Sequence, residues 1–116
     1  MLAASDSLAH VYAVIPVFNR REHTLACLRS LCGQDYSALT VVVVDSGSTD
    51  GTAEAIASQY PEVILLSRDS SLWWTAATNE GVKWVLEQCE QSDFVLTLNN
   101  DTTVKPDYVR RLVEVA

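Results

Sequence analysis

Two aspartates stand at the ends of apolar stretches, where a carboxylate contributes nothing to apolar packing. Asp45 follows the run Val41–Val44, and Asp101 follows "DFVLTLNN" at residues 93–100. A carboxylate in such a place can accept the N3–H of a uracil or thymine base, or hold a divalent cation against phosphate groups. The structural alternative is that both acids satisfy the backbone of tight turns or cap the helices that follow.

Apolar and polar stretches alternate along the chain in a way that predicts four strands and four helices. The predicted strands cover residues 11–15, 39–44, 62–67 and 93–98, and the predicted helices cover residues 19–33, 51–60, 74–91 and from Pro106 to the last residue. We expect Pro16 to end the first strand, Asn19 and Glu22 to cap the first helix, and Gly33 to end that helix. This order predicts an α/β fold whose mostly parallel sheet is covered by helices on both faces.

In parallel α/β sheets, ligands bind in the crevice outside the carboxyl ends of the strands. The segments that follow the predicted strands are "PVFNR" (16–20), "DSGSTDG" (45–51), "RDSSLWW" (68–74) and "NNDTTVKPD" (99–107). We therefore expect Asp45 and Asp101 to face one crevice. Of the adjacent Trp73 and Trp74, we expect one to pack in the core and the other to face the crevice or a partner.

Composition excludes several classes of protein. The chain has 116 residues, which suits one domain, and its 8 Lys and Arg against 15 Asp and Glu argue against a nucleic-acid surface. No apolar stretch is long enough to span a membrane. The odd number of cysteines, Cys27, Cys32 and Cys89, predicts reduced, buried thiols rather than disulfides or a zinc site. We expect His10 and His23 to be ordinary surface residues.

Three other ligand-binding architectures fit the segment after the first strand poorly. A nicotinamide-binding fold needs a Gly-x-Gly-x-x-Gly turn there, and "PVFNRREHTL" contains no glycine. A Walker-type phosphate loop is absent for the same reason. A phosphoacceptor receiver domain needs an acidic pair in this place, and "PVFN" has none. A nucleoside diphosphate fits better, because an aromatic ring can stack on the base and one carboxylate, Asp101, suffices for a metal that phosphates and water also coordinate.

Three stretches in this order resemble the opening of the family-2 glycosyltransferases. They are "AVIPVFNRREHTLACLRSLCGQDYSALTVVVVDSGSTDGT" (13–52), "TAATNEGVKWVL" (75–86) and "LTLNNDTTVKPDYV" (96–109). The last resembles the Asp-x-Asp segment of that family, in the Asn-Asn-Asp form of rhamnosyltransferase-like members. The resemblance implies the GT-A fold, a three-layer αβα arrangement typical of nucleotide-diphospho-sugar transferases, of which this chain would be the N-terminal half.

Carried over to this sequence, the resemblance implies the following roles. Asp101 would hold a divalent metal, Mn²⁺ or Mg²⁺, and Asp45 would hold the pyrimidine. The donor-binding residues would be Pro16, Phe18, Asn19, Asp45, Ser46, Arg68, Trp74, Asn79 and Asn100. Two departures from the family pattern are Ser46, where many members have a second acid, and Asn99, which replaces the first acid of the Asp-x-Asp segment.

The resemblance also implies an activity: inverting transfer of a sugar from a UDP- or dTDP-sugar donor to a hydroxyl of a glycan or lipid-linked acceptor, in cell-surface polysaccharide or glycan synthesis. Residues 1–10 would be a leader, and residues 11–116 the nucleotide-sugar-binding part. The acceptor half and the catalytic base would lie outside it, so that this part alone would be inactive. The alternative is a non-catalytic nucleotide-binding or assembly module of the same fold.

Two expectations concern the surroundings of the chain. A cytoplasmic location is expected, peripheral to the inner face of the membrane in a longer protein. Self-association is expected through apolar surface and an unpaired strand edge that an acceptor half would cover.

Overall fold

The computed structural model describes residues 8–90 and 93–116, and within them it contains four strands and four helices. The strands are β1 (Val11–Val17), β2 (Leu39–Ser46), β3 (Ile64–Arg68) and β4 (Phe94–Thr97), and the helices are α1 (Arg21–Cys32), α2 (Thr52–Gln59), α3 (Trp74–Leu86) and α4 (Tyr108–Val115). All strand pairs are parallel, in the order β3-β2-β1-β4. The predicted alternation of strands and helices is confirmed.

Strand β1 lies in the middle of the sheet and continues through Pro16, so the prediction that this proline ends the strand is wrong. Strand β1 pairs with β2 up to Val17, but its ladder with β4 ends at Val14. The carbonyl of Val14 accepts a hydrogen bond of 3.1 Å from the backbone N–H of Leu98. Backbone groups two residues apart point to the same edge of a strand, so the nitrogen of Pro16 faces the β4 side beyond the last pair, where no donor is needed.

Helices cover the sheet on both faces, as the sequence predicts. Helices α1 and α2 pack on the face that carries Ile15 and Val43, and α3 packs on the face that carries Val14 and Val42. Helix α3 lies very close to the sheet at Gly81, where a Cβ atom would stand 2.4 Å from Cγ1 of Val14. One apolar layer therefore lies on each face of β1 and β2, and the two layers together form the core.

The β4 side of the sheet is covered less completely. Helix α4 packs through Val109, which is fully buried against Val11 and Tyr36. Phe94 is 37% exposed and Val95 39% exposed, and β4 is an edge strand among the described residues. An exposed edge strand can pair with a strand of another chain, and the expected self-association through this edge stays a prediction.

The predicted capping of α1 is wrong, although its end at Gly33 is confirmed. The residue before the helix is Arg20, in a left-handed conformation with φ 60°, and it makes no side-chain capping bond. Asn19 has φ 57° and directs its side chain to another loop, and Glu22 lies beside the Arg21 guanidinium at 3.3 Å. The tertiary contact of Asn19 replaces the local capping pair.

Several single-residue predictions are also corrected. Cys27 is buried, but Cys32 is exposed and Cys89 only half-buried; all three are free thiols. Trp73 and Trp74 are 83% and 56% exposed, so neither packs in the core.

His23 is exposed as predicted, but His10 is half-buried, with Nε2 2.7 Å from the hydroxyl of Thr40. Helix α3 ends at Leu86 rather than residue 91, and residue 91 lies outside the described residues, as do residues 1–7 of the predicted leader. None of the described helices combines the length and the apolar composition that crossing a membrane requires.

Candidate functional site

The loops after β1 and β2 are joined by side-chain hydrogen bonds at the carboxyl edge of the sheet. The backbone N–H of Asn19 donates to the hydroxyl of Ser48 at 2.7 Å, and the backbone N–H of Thr49 donates to Oδ1 of Asn19 at 2.7 Å. The left-handed conformation of Asn19 makes this exchange possible, and asparagine tolerates that conformation better than most residues. The two loops therefore form one connected structure.

The Asp45 carboxylate lies beneath these loops. It is 4% exposed and accepts hydrogen bonds from both the backbone N–H, at 3.3 Å, and the hydroxyl of Ser48. These contacts are those of a turn-stabilising acid, the structural alternative that the sequence leaves open. Carboxylate oxygens have further acceptor capacity, and a role in holding a base stays a prediction.

Gly47 brings the second loop against the third. Its φ is 79°, and a Cβ atom there would stand 3.1 Å from the backbone nitrogen of Ser70. Both the backbone conformation and the close approach favour glycine at this position.

Asp50 stabilises the entry into α2 and reaches across to α1. Its carboxylate accepts hydrogen bonds from the backbone N–H of Thr52, at 3.1 Å, and of Arg21, at 3.0 Å. The hydroxyl of Thr52 donates to it as well, and these contacts lower the pKa of the exposed Asp50 carboxyl below its ordinary value. Asp50 therefore stabilises the start of α2 from the residue before the capping position, which Gly51 occupies.

A tight turn over residues 99–102 follows β4. Within it, the backbone N–H of Thr102 donates to the carbonyl of Asn99 at 3.1 Å. Nδ2 of Asn100 donates to the hydroxyl of Thr24 at 3.1 Å, and Nε1 of Trp74 donates to Oδ1 of Asn99 at 3.0 Å. Asp101 itself is exposed at the tip of this turn.

The Cys27 thiol lies under the same turn. It donates a weak hydrogen bond of 3.9 Å to the carbonyl of Asn99. Burial raises the pKa of this thiol to about 11, and the negative charge of Asp101 adds to the rise. Cys27 is therefore a neutral thiol at physiological pH and no nucleophile.

A cleft of about 180 Å³ opens at this edge of the sheet. It is lined by Pro16, Val17, Phe18, Ser46, Leu72, Trp74, Ala77 and Asn100. Phe18 and Trp74 are both about half exposed and present aromatic surface to the cleft. Five of the predicted donor-binding residues thus lie together, while Val17, Leu72 and Ala77 were not predicted, because apolar residues in these segments look like ordinary packing.

The other predicted residues lie elsewhere. Asn19 bonds to the loop after β2, Asp45 bonds to Ser48 within its own loop, and Asp101 stands next to the cleft residue Asn100. The Nε atom of Arg68 lies 2.9 Å from the Glu80 carboxylate, in an exposed ion pair.

Asn79 is exposed on α3 and does not line the cleft. Thr24 and Ser48 contact the site residues without having been predicted. Their only sequence signal is a hydroxyl within an apolar helix face or a turn.

The charge of the cleft matters for any phosphate ligand. None of its described lining residues is a cation, and Arg68 is paired with Glu80. Within residues 8–90 and 93–116, no group of three or more His, Cys, Asp or Glu side chains is placed to hold a metal ion. The single exposed carboxylate of Asp101 therefore suits a cation that arrives with a diphosphate, not one bound by protein ligands alone.

A larger cavity, of about 300 Å³, lies at the opposite edge of the sheet, where it is bordered by Cys32, Tyr36 and Glu62. None of the four strand-end loops reaches it. Ligand binding in parallel sheets favours the carboxyl edge, and the cleft of about 180 Å³ takes lining residues from the segments that follow all four strands, so it is the candidate site.

Comparison with known proteins places the chain among sugar-transferring enzymes. An N-acetylglucosaminyltransferase of Azorhizobium caulinodans is 32% identical over 93% of this chain, which spans 28% of that protein. The structure of S. aureus TarS 1–349 in complex with UDP-GlcNAc superimposes with a TM-score of 0.71 at 22% identity, over 90% of this chain and 30% of that fragment. The mannosyltransferase PcManGT from Pyrobaculum calidifontis, in complex with GDP-Man and Mn²⁺, gives a TM-score of 0.64 at 26% identity, over 84% of this chain and 29% of that one.

The fold shared with these structures confirms the GT-A arrangement predicted from the sequence. The rhamnosyltransferase-like subgroup stays a prediction. The model of the Glycosyl transferase family 2 matches residues 12–116, nearly the whole chain. This protein therefore belongs to glycosyl transferase family 2.

Proposed function

We propose that the cleft between Phe18 and Trp74 binds the nucleoside diphosphate of a sugar donor, for transfer of the sugar by a glycosyltransferase of which this chain is the donor-binding part. The observation that carries this proposal is the meeting of Phe18, Ser46, Trp74 and Asn100 at the carboxyl edge of the sheet, beside the exposed Asp101. The relatives and structural neighbours are sugar transferases, and two of the neighbours hold nucleotide sugars.

Each part of the donor has a suitable place near this cleft. An aromatic ring of the cleft stacks on the base, and Asp45 or a neighbouring polar group accepts the N3–H of a pyrimidine. The diphosphate carries negative charge into a cleft whose described lining has no cation, so Mn²⁺ or Mg²⁺ would balance that charge and Asp101 would hold the metal. We expect a UDP- or dTDP-sugar, since the N3–H donor belongs to uracil and thymine.

The proposed reaction is an inverting displacement. The oxygen of an acceptor hydroxyl attacks the anomeric carbon opposite the diphosphate, the bond from that carbon to the phosphate oxygen breaks, and a base takes the hydroxyl proton. A divalent metal held by Asp101 would supply Lewis-acid stabilisation of the negative charge on the departing nucleoside diphosphate. The residues of this chain bind and orient the donor, and the base and the acceptor-binding surface are expected in a further part of the protein.

The proposal is tested by calorimetric titration of the chain with UDP and dTDP, with and without Mn²⁺. We expect micromolar to millimolar affinity that rises with Mn²⁺, and at least a tenfold loss of the Mn²⁺-dependent affinity in Asp101→Asn. Asp45→Ala is expected to weaken binding of both nucleotides whether or not Mn²⁺ is present.

The matched control is Asp35→Asn, which removes the same charge at the other end of the sheet, where Asp35 pairs with Arg110. It should leave nucleotide binding unchanged. Absence of UDP and dTDP binding by a folded wild-type chain, or equal losses in Asp101→Asn and Asp35→Asn, would overturn the donor site. The stereochemistry of transfer is read from the anomeric configuration of the product made by the full-length protein.

A further inference from the structure

The turn at residues 99–102 is held by two side chains from opposite faces of the sheet. Thr24, on α1, contacts Asn100, and Trp74, at the start of α3, contacts Asn99. The neighbouring asparagines of the turn thus reach helices on the two sides of the sheet. We infer that Thr24 and Trp74 are positioning residues that hold this turn, and with it the Asp101 carboxylate, in place for a metal–diphosphate ligand.

The Thr24 hydroxyl determines which way the Asn100 amide faces. Thr24 is fully buried, and its hydroxyl donates to the carbonyl of Arg20 at 3.1 Å. Its oxygen is then left as an acceptor, and Nδ2 of Asn100 donates to it at 3.1 Å. The reversed amide would set two acceptor oxygens against each other, so Oδ1 of Asn100 is directed away from Thr24. The same hydroxyl thereby connects the loop after β1 to the turn after β4.

Trp74 makes a second connection from the other face. Its ring lines the cleft, while its Nε1 atom donates to Oδ1 of Asn99 at 3.0 Å. A ligand that packs against this ring therefore contacts the Trp74 side chain, which is hydrogen-bonded to the turn that carries Asp101. Nucleotide binding and cation binding are coupled through one residue, and each should strengthen the other.

The inference rests on the proposed function for its ligand, but the rigidity of the turn is measurable without any ligand. The reporter is the amide of Thr102, which is bonded to Asn99 within the turn. In Thr24→Val, a substitution that keeps the shape and removes the hydroxyl, we expect hydrogen exchange of this amide to accelerate about tenfold. Thr24→Ser keeps the hydroxyl and should restore the wild-type rate. Exchange of the Val43 amide, in the middle of β2, is the control for the global fold.

The second readout is calorimetric titration with UDP. Thr24→Val should weaken Mn²⁺-dependent UDP binding about five- to tenfold and leave metal-free binding within twofold of wild type. Trp74→Phe keeps an aromatic ring, removes the donor and lies at an exposed position, so it tests the same coupling without disturbing the core. It should reduce the gain in UDP affinity on adding Mn²⁺ by a similar factor.

The outcomes separate this inference from the proposed function. Unchanged Thr102 exchange in Thr24→Val overturns the inference whether or not UDP binds. Equal weakening with and without Mn²⁺, or faster exchange at Val43 as well, would show a merely structural role for Thr24 and also overturn it. Absence of UDP binding by the wild-type chain would overturn the proposed function alone, because the exchange measurement still decides whether Thr24 holds the turn.

Discussion

Strands β2 and β4 flank the same central strand and are both rich in apolar residues, but only β2 is buried. Strand β2 pairs with β1 from Leu39 to Asp45, and its residues Val41–Val44 are all in the core. Strand β4 pairs over four residues, and Phe94 and Val95 are more than one third exposed. Apolar composition predicts a strand in both cases, but burial depends on what packs over it.

The difference follows from how the helices are placed. Helices α1 and α2 cover one face of β2, and α3 covers the other. Strand β4 has α4 against the face that carries Leu96 and lies outside the main contact area of α3. A strand of the same composition is therefore a core element on one side of β1 and a partly open edge on the other.

The loops that follow β2 and β4 also differ, in the hydrogen bonds that hold them. The loop after β2 has internal side-chain bonds, since Asp45 accepts from Ser48 and Asp50 accepts from Thr52, and it is also bonded to Asn19 and Arg21. The turn after β4 has one internal backbone bond, from Thr102 to Asn99, and is otherwise held by side chains far away in the chain. Both loops are held by tertiary contacts, but among the described residues only the loop after β2 adds side-chain bonds of its own.

Replacing a valine by threonine in β2 and in β4 tests this comparison, and the β2 variant should have the largest effect on stability. Val43→Thr places a hydroxyl at a fully buried position, and we expect it to lower the free energy of unfolding by about 2 kcal/mol. Val95→Thr, at a position 39% exposed, should change it by less than about 0.5 kcal/mol. Urea unfolding measures both, and equal losses would contradict the difference in burial.

The connection between the first two loops can be broken at Asn19. Asn19→Ala loses the hydrogen bond to Thr49 and strains a left-handed backbone, so a loss of about 2 kcal/mol in unfolding free energy is expected. Asn19→Gly loses only the bond and should cost about 1 kcal/mol. Asn79→Ala, on the exposed face of α3, is the control and should be nearly neutral. The interpretation fails if the Ala and Gly variants are equally stable.

A smaller effect is expected from Cys27, which lies under the turn after β4. Its pKa is about 11 in the folded protein against an ordinary value of 9.0. Above pH 9 the unfolded chain releases this proton before the folded one does, so the contribution of the thiol to stability is complete below pH 9 and is lost as the pH rises towards 11. Cys27→Ala removes this dependence.

The measurement is urea unfolding of both proteins at several pH values. The stability difference between wild type and Cys27→Ala should be on the order of 1 kcal/mol smaller at pH 10 than at pH 8. A difference that stays constant over this range would mean that Cys27 titrates normally, and that the turn after β4 does not bury it.

Much of the fold was predictable because it depends on patterns along the chain. The run at Val41–Val44, the apolar stripe of α1 and the glycine after it are local signals, and the structure follows them. The capping pair of Asn19 and Glu22 is also a local signal, and it is wrong because a bond to Thr49 in the next loop takes the Asn19 side chain. The end of the first strand at Pro16 is wrong for a similar reason, since the missing N–H of proline matters only where a neighbouring strand needs it.

Sequence alone determined the class of fold, the family resemblance and the segments at the carboxyl edge of the sheet, because strand and helix periodicities and the order of motifs are properties of the chain itself. Only the tertiary structure decided which of those residues meet. The tertiary structure brings Phe18, Trp74 and Asn100 into one cleft. It also pairs the Arg68 guanidinium with the Glu80 carboxylate and places Thr24 under the turn that carries Asp101. Contacts between residues that are far apart in sequence depend on how helices pack against the sheet, and no local pattern records that packing.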